Sequence, residues 1–390
     1  MTTVAPPPAM PVPAAARAPA GREGPVRFRL VPPHALTAAE IAAWRRFQAG
    51  DAALASPYLC PEYARIAAAV RPDVTVAIAE RDGAPVGFLA FERRGRVGGP
   101  VGRAVCDCQA IVAEPGCAWD PRAFLRAAGL SVYDFTYFRA SQPAFAPFHR
   151  SVETSHAIDL APTFEDYLRE RREAARRIPT ASSGFPHHAL ARLRQLERQC
   201  GPVRFRLHEP DPRALHTLLA WKSRQYRRNG LPDAFARRWL VALLERIHAT
   251  QTPDFAGVLS TLSVGDRMVA AHMGMRSADL LHYWYPAYAP DAALARFSPG
   301  LILLLEVCRH AAAHGIRAIE LGAGDEPYKR LFANAGFPVA AGCVGAFSLP
   351  LLLRRARQWA EDVPARLPLG PLAPWPGRIL RRLDRIGRFR

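Results

Sequence analysis

The chain repeats itself. Gly24-Pro25-Val26-Arg27-Phe28-Arg29-Leu30 returns 177 positions later as Gly201-Pro202-Val203-Arg204-Phe205-Arg206-Leu207. At the same offset Ala43-Trp44-Arg45 returns as Ala220-Trp221-Lys222. Beyond that the pattern continues without identity. Strand-like Val74–Glu80, a turn at Asp82-Gly83 and strand-like Val86–Glu92 correspond to Ala256–Val264, Gly265-Asp266 and Arg267–Met275, with turn glycines 182 apart. A helix Pro121–Ala128, closed by Gly129 and followed by Val132–Phe138, corresponds to Pro299–His314, Gly315 and Arg317–Leu321, with glycines 186 apart. A seven-residue match carries little weight in a biased sequence. An ordered series that drifts by loop-sized steps is the mark of duplication.

Each half therefore reads strand, helix, helix, hairpin, further strand, helix, strand, an α/β unit on a mixed sheet. The expected units are residues 26–150 and 201–347. A basic helical connector, 151–200, joins them and is broken at Pro179 and Gly184-Phe185-Pro186. Residues 1–25 hold seven Pro and seven Ala and are expected to form a disordered leader. Residues 348–390 form a basic tail.

Charge is the other constraint. The chain has 52 Lys+Arg against 34 Asp+Glu, a net +18, and only Lys222 and Lys329 are lysines. The connector and tail hold much of the excess: eight Arg against four acids in 166–200, ten against three in 350–390. Such an excess favours acidic partners. A nucleic-acid binder is one class that fits, but no binding motif or aromatic-interleaved basic stripe accompanies the charge. The apolar run Leu301 to Leu305 stops at Glu306, too short to span a membrane. Seven cysteines without a CxxC read as free thiols in a reducing compartment, and Cys106-Asp107-Cys108 lacks a second pair for zinc, so no metal is expected. The N-terminus lacks the basic and apolar regions of a signal peptide, and a cytoplasmic location is expected.

The order of elements resembles a GNAT-type acyltransferase unit, and two in tandem resemble the Fem-like arrangement. In the second half, Trp221-Lys222-Ser223-Arg224-Gln225-Tyr226, His282-Tyr283-Trp284-Tyr285-Pro286-Ala287-Tyr288, Ser298-Pro299-Gly300 and Leu321-Gly322-Ala323-Gly324-Asp325-Glu326-Pro327-Tyr328-Lys329 resemble the CelD-like acetyltransferases of cellulose and exopolysaccharide biosynthesis. The resemblance spans about 26–347 and is strongest over 200–335. It implies an enzyme moving an acyl group, acetyl from acetyl-CoA, to a sugar hydroxyl or amine. The usual GNAT pyrophosphate loop, Arg/Gln-x-x-Gly-x-Gly/Ala, is absent. An aminoacyl-tRNA donor, as in Fem enzymes, and a catalytically silent scaffold of a polysaccharide-synthesis complex are the alternatives.

Several residues are candidates for that chemistry. Ser298 as N-cap and Pro299 at the first helical position open a helix whose amides, past Gly300 and Leu301, suit the CoA pyrophosphate. Its counterpart begins Asp120-Pro121, and a carboxylate there would repel phosphate. The donor site is therefore expected in the second half. A two-residue turn at Ser277-Ala278 would pair Arg276 with Asp279, setting His272 opposite Tyr283 and His282 opposite Met273; a one-residue slip would reverse the faces. His272 beside the Tyr283 phenol would suit a general base. Asp325, after the Gly322-Ala323-Gly324 strand end, is the third catalytic candidate and would also serve as an N-cap. Lys329 is assigned to a phosphate or the acceptor because a lysine is rare in this chain. Trp221, Lys222, Gln225, Tyr226, His282, Tyr288, Glu320 and Tyr328 are assigned to the substrate. So is Asp107, which resembles a recurring Asp of the family's first half. Each has an ordinary core, cap or surface role as its alternative.

Near the C-terminus Ile379, Leu383, Ile386 and Phe389 recur at helical spacing among Arg381, Arg382, Arg385 and Arg388. This is a short basic amphipathic stretch suited to an anionic membrane surface. Deleting 376–390 should weaken binding to anionic vesicles while leaving acetyl-CoA binding intact. Equal vesicle binding by both forms at low salt would end that expectation.

Overall fold

The structure, a computed structural model, describes residues 25–177, 186–345 and Arg354. The leader, the break at Pro179 and Gly184, and the amphipathic tail lie outside these residues. The first half runs β1 (Arg27–Val31), α1 (Ala38–Ala49), α2 (Pro61–Ala68), β2 (Val74–Arg81), β3 (Ala84–Arg94), β4 (Val97–Gly99), β5 (Val112–Ala113), α3 (Pro121–Ala127), β6 (Val132–Arg139) and β7 (His149–Asp159). Then come α4 (Phe164–Arg177) and α5 (His187–Cys200). The second half runs β8 (Val203–Arg206), α6 (Pro212–Arg228), α7 (Arg238–Ala249), β9 (Ala256–Val264), β10 (Arg267–Arg276), β11 (Leu280–Tyr288), α8 (Ala292–Ala295), α9 (Pro299–Ala313), β12 (Ala318–Ala323), α10 (Pro327–Phe332) and β13 (Ala335–Gly345).

The two halves share one topology. β1, β2 and β3 form an antiparallel run, β4 continues it, and β6 lies parallel to β4 after the crossover helix α3. β8, β9, β10, β11, α9 and β12 do the same. Capping is local and follows the sequence. Thr37 and Glu40 form a capping box at α1, and Asp120 and Asp211 accept the amides of Arg122 and Arg213 ahead of a Pro at the first helical position. β10 is buried along most of its length, as a central strand should be. α9 buries residues all round and is a core helix.

The compact units do not coincide with the halves of the repeat. The larger takes the described residues of 51–66 and 153–339; the smaller takes the described residues 25–50, 67–152, 340–345 and Arg354. In the larger unit β12 is paired on its outer side by β7, a strand of the first half that the connector assignment did not anticipate. In the smaller unit the end of β13, from the second half, lies by β6: a Cβ on Gly342 would fall 2.6 Å from the Phe135 ring. Each half lends its last strand to the other.

The larger unit's core joins α9, through Ile302, Leu304, Leu305 and Cys308, to Leu281, Tyr283, Ile319 and Leu321. The smaller unit's core is aromatic, with Phe124 packed edge-on against Phe91 and Tyr133, and Trp44 stacked on Phe88. One buried charge ties its edge together. Glu92 is fully buried, and its carboxylate accepts from Arg71 at 2.9 Å, Arg103 at 3.0 Å and the Gly102 amide at 2.7 Å. Removing one partner of a buried pair strands the others, at a cost of about 3–5 kcal/mol. Glu92→Ala should lower the stability of the smaller unit by about that much in urea unfolding. A loss below 1 kcal/mol would show that the arginines find water instead.

Candidate active site

β11 and β12 are parallel neighbours for only three residues: Leu280 with Ala318, Leu281 with Ile319, and His282 with Glu320. After that they part. β11 continues to Tyr288 beside β10, and β12 continues to Ala323 beside β7. The result is an opening bordered by Tyr283–Tyr288 on one side and Leu321–Ala323 on the other. Pro286 sits in that bordering stretch of β11. Proline brings no amide to a ladder, and is tolerated where a strand edge is free. β11 runs through this proline to Tyr288.

The expected hairpin register is corrected. His272 pairs with Pro286, Met273 with Tyr285 and Met275 with His282, while Arg276 pairs with Leu281. The shift falls at Gly274, where a Cβ would lie 2.2 Å from the His282 carbonyl oxygen and 2.6 Å from His272 Nε2. Only glycine admits the bulge there. The bulge also decides what His272 does. Its Nε2 accepts the Trp284 amide at 3.3 Å, its Nδ1 lies 3.5 Å from Ser260 Oγ, and its ring stacks on Tyr283 at 4.0 Å. His272 and Tyr283 are neighbours through this stacking and not through the expected strand pairing. Burial pushes the His272 imidazole down to about 3, with His282 adding to the effect. It is thus neutral, sealed and engaged, which removes it from general-base work. Tyr283 is held well above its usual range by burial.

At the last pair before the opening, His282 and Glu320 are both buried, His282 Nδ1 lying 3.7 Å from Glu320 Oε2. Ser56 Oγ donates to the same oxygen at 2.8 Å. Tyr58 packs edge-on against His282 at 4.9 Å and against Trp284 at 5.6 Å. Ser56 and Tyr58 come from residues 51–66, more than two hundred positions upstream, and sequence reasoning missed them. Nothing local in Ser56-Pro57-Tyr58 signals the contact.

The chain's two lysines lie on different elements, Lys329 at the far end of β12 and Lys222 against β11. Lys329, buried on α10, donates to the Ala323 carbonyl at 2.5 Å and pairs with Glu326 at 2.9 Å. Lys222, on α6, donates to the Pro286 carbonyl at 3.0 Å, and its amine lies 5.7 Å from the Tyr226 ring centroid. Burial pushes the Lys222 amine down to about 8, against the field of Glu326. Glu326 folds back over the loop, its Oε2 standing 2.7 Å from where a Gly324 Cβ would be. His156 on β7, opposite Gly322, was also missed. Burial first, then Lys329, lowers its pKa, and its buried Nδ1 has no partner among the described residues.

The remaining candidates divide. Tyr226 stacks on Phe235, Trp221 packs against the larger unit's core, and Gln225 is half-buried on the same helix. Tyr328 packs against the larger core and Asp107 is half-buried in the smaller unit. Asp325 is exposed, 3.9 Å from Arg330, and does not cap α10, whose first flanking residue is Glu326. Ser298 occupies the N-cap position of α9 as expected, but its side chain makes no cap hydrogen bond. It is left-handed, with φ of 52°, and its hydroxyl accepts from Arg192 at 2.6 Å. A cation thus stands at a helix start where the dipole favours an anion. Beside it, Gly300 faces the half-exposed Tyr288 ring, 3.7 Å from a Cβ position, with Leu301 following.

These elements lie in a stretch of known kind. Residues 187–330 match the acetyltransferase (GNAT) domain family. The match runs from α5 into α10 and includes both parted strands. Among solved structures, the chain resembles FemX, with 9% identity over 72% of this chain and 90% of that one at a TM-score of 0.49. It also resembles a tandem GNAT protein of clavulanic acid biosynthesis (13%, 83% and 100%, 0.45). A third is the C-terminal DUF2156 domain of an Agrobacterium fabrum protein described as a lysylphosphatidylglycerol synthetase (13%, 82% and 96%, 0.48). No curated protein sequence matches the chain.

His272 gives the site a pH signature. Its folded pKa lies below the ordinary 6.5, so protonation favours the unfolded chain. Its contribution is complete above about 6.5 and falls as pH drops toward about 3. Between pH 6.5 and 5 the loss should be about 2 kcal/mol, at roughly 1.4 kcal/mol per unit for one proton. Urea unfolding at both pH values should show that difference shrinking in His272→Gln. An unchanged difference would mean that His272 is not the buried titrating group.

Proposed function

We propose that the larger unit binds acetyl-CoA in the opening between β11 and β12 and transfers the acetyl group to a hydroxyl or amine of a sugar or polysaccharide precursor. The observation that carries this reading is that the residues matching an acetyltransferase domain contain two parallel strands that part after one short paired stretch. The acceptor class follows from the CelD-like resemblance of the second half.

The chemistry asks little of the protein. An acceptor attacks the thioester carbon, backbone amides along the opened edge of β11 polarise the carbonyl, and CoA leaves as a thiolate. Arg192 and the start of α9 would hold the pyrophosphate. His156, neutral at pH 7, is the proposed proton acceptor in place of His272. Tyr328 on α10 is the proposed proton donor to the departing thiolate. The α6 residues Trp221, Lys222, Gln225 and Tyr226 would flank the acceptor.

The test is at Gly300. Gly300→Asp adds a carboxylate beside the proposed pyrophosphate, a repulsion on the order of a few kcal/mol near a protein surface. Acetyl-CoA affinity should fall roughly tenfold to a thousandfold, at about 1.4 kcal/mol per decade. Folding should survive, since an acidic residue is favourable in the first turn of a helix and a Cβ fits there. Asp120→Ser in the smaller unit is the control and should leave binding unchanged. Equal binding by wild type and Gly300→Asp in calorimetric titration would remove this helix start as the phosphate site. No binding by wild type would end the acetyl-CoA reading.

A further inference from the structure

We propose that Lys222 is itself an acyl acceptor: bound acyl-CoA converts its side chain to an N-acyl-lysine at the edge of the opening. The inference rests on the acyl-CoA reading above and adds to it a covalent regulation of the same site.

The contrast between the two lysines carries the argument. In a chain with 50 Arg, the field of Glu326 reaches both amines, yet only Lys329 is in contact with it. Lys329 is committed, ion-paired to Glu326 at 2.9 Å and hydrogen-bonded to Ala323. Lys222 has no ion-pair partner among the described residues. Its amine makes one hydrogen bond, to the carbonyl of Pro286, in the stretch of β11 that borders the opening. A neutral amine donating one N–H to that carbonyl keeps its lone pair free for attack. Burial supplies the neutral form, with the amine pushed down to about 8. At pH 8 roughly a hundredfold more of it is uncharged than of an ordinary lysine. A desolvated lysine is an activated nucleophile for a carbonyl carbon.

The step balances without a further reagent. The lone pair of Lys222 Nζ attacks the thioester carbonyl, a C–N bond forms and the C–S bond breaks. CoA departs as the thiolate and takes up the proton lost by the amine, leaving the amide and free CoA thiol. The charge at Lys222 is abolished, and an acyl group occupies the α6 side of the opening where the acceptor would approach.

Two lysines make the readout clean. The full-length chain is incubated with acetyl-CoA from pH 6 to 10, followed by intact mass and peptide mapping, with acetyl-CoA binding measured separately by calorimetry. The expected result is one acetyl group per chain, on Lys222, with a rate midpoint near pH 8 and no label on Lys329. Labelling at pH 8 should be at least tenfold faster than in the same chain unfolded in urea, and Lys222→Arg should remain unlabelled. Wild type that binds acetyl-CoA yet leaves Lys222 unmodified, or labels it no faster than the unfolded chain, overturns this inference alone. So does an acetyl group that persists in Lys222→Arg. Wild type that binds no acetyl-CoA overturns the donor reading and this inference with it.

Discussion

Two parallel strands that separate must keep their backbone groups satisfied elsewhere, because a buried amide or carbonyl without a partner is costly. β11 and β12 separate after His282 and Glu320, and much of the site follows from how each strand is supported beyond that point. β12 is held by β7, borrowed from the other half of the repeat, with its own irregularity between Glu320 and Gly322. β11 is held by β10, through a bulge at Gly274 that turns the His272 ring onto the Trp284 amide. Pro286 removes one donor from the free edge, and Lys222 satisfies its carbonyl. At the vertex, Ser56 donates to the Glu320 carboxylate, so a segment distant in sequence closes the base of the opening.

The same support explains the electrostatics. Groups near the vertex are dry: His272, His282, Glu320 and Ser56 are all under 3% exposed. In such surroundings the neutral form of an imidazole is favoured, which makes His272 a structural acceptor. At the far end of β12 the surroundings are mixed. Lys329 is buried but answered by Glu326, whose own side chain is 56% exposed and whose carboxyl the Lys329 hydrogen bond helps to hold below its usual range. Lys222 shares that carboxylate only at a distance. The two lysines differ by what stands beside each amine and not by burial alone.

Much of the fold was readable because it is written locally. The duplication, the hairpin from β9 to β10, the crossover helices with their closing glycines, and the Asp120 cap depend on neighbours within a few residues. What escaped depends on distant partners. β7 and β13 leave their own halves, and no pattern within either strand names its partner. Ser56 and Tyr58 reach the site through a contact across 264 residues or a comparable span. The register of β10 on β11 was misread because counting from the turn assumes an unbroken ladder, and Gly274 breaks it. Ser298 and Asp325 were read as caps from residue type, and only Ser298 stands at the cap position, without a cap bond from its side chain. Arg192 takes the first hydroxyl, and the helix after the second starts one residue later.

The duplicated halves have diverged at the place where the larger unit opens. In the smaller unit β4 ends at Gly99 after pairing with β6 at Val97–Val132 and Gly98–Tyr133, so no length of strand runs on to border a gap. Leu130 and Tyr133 press within 3 Å of where a Gly98 Cβ would be, covering the face of β4 at that residue. The start of its crossover helix α3 is occupied by the Asp120 carboxylate, while α9 has lost that anion and gained the Arg192 guanidinium. Both changes run in the same direction. One copy has satisfied its short strand and its helix start internally. The other has left a strand edge parted and set a cation at the helix start, and the borrowed strand β7 is what lets it do so without unravelling.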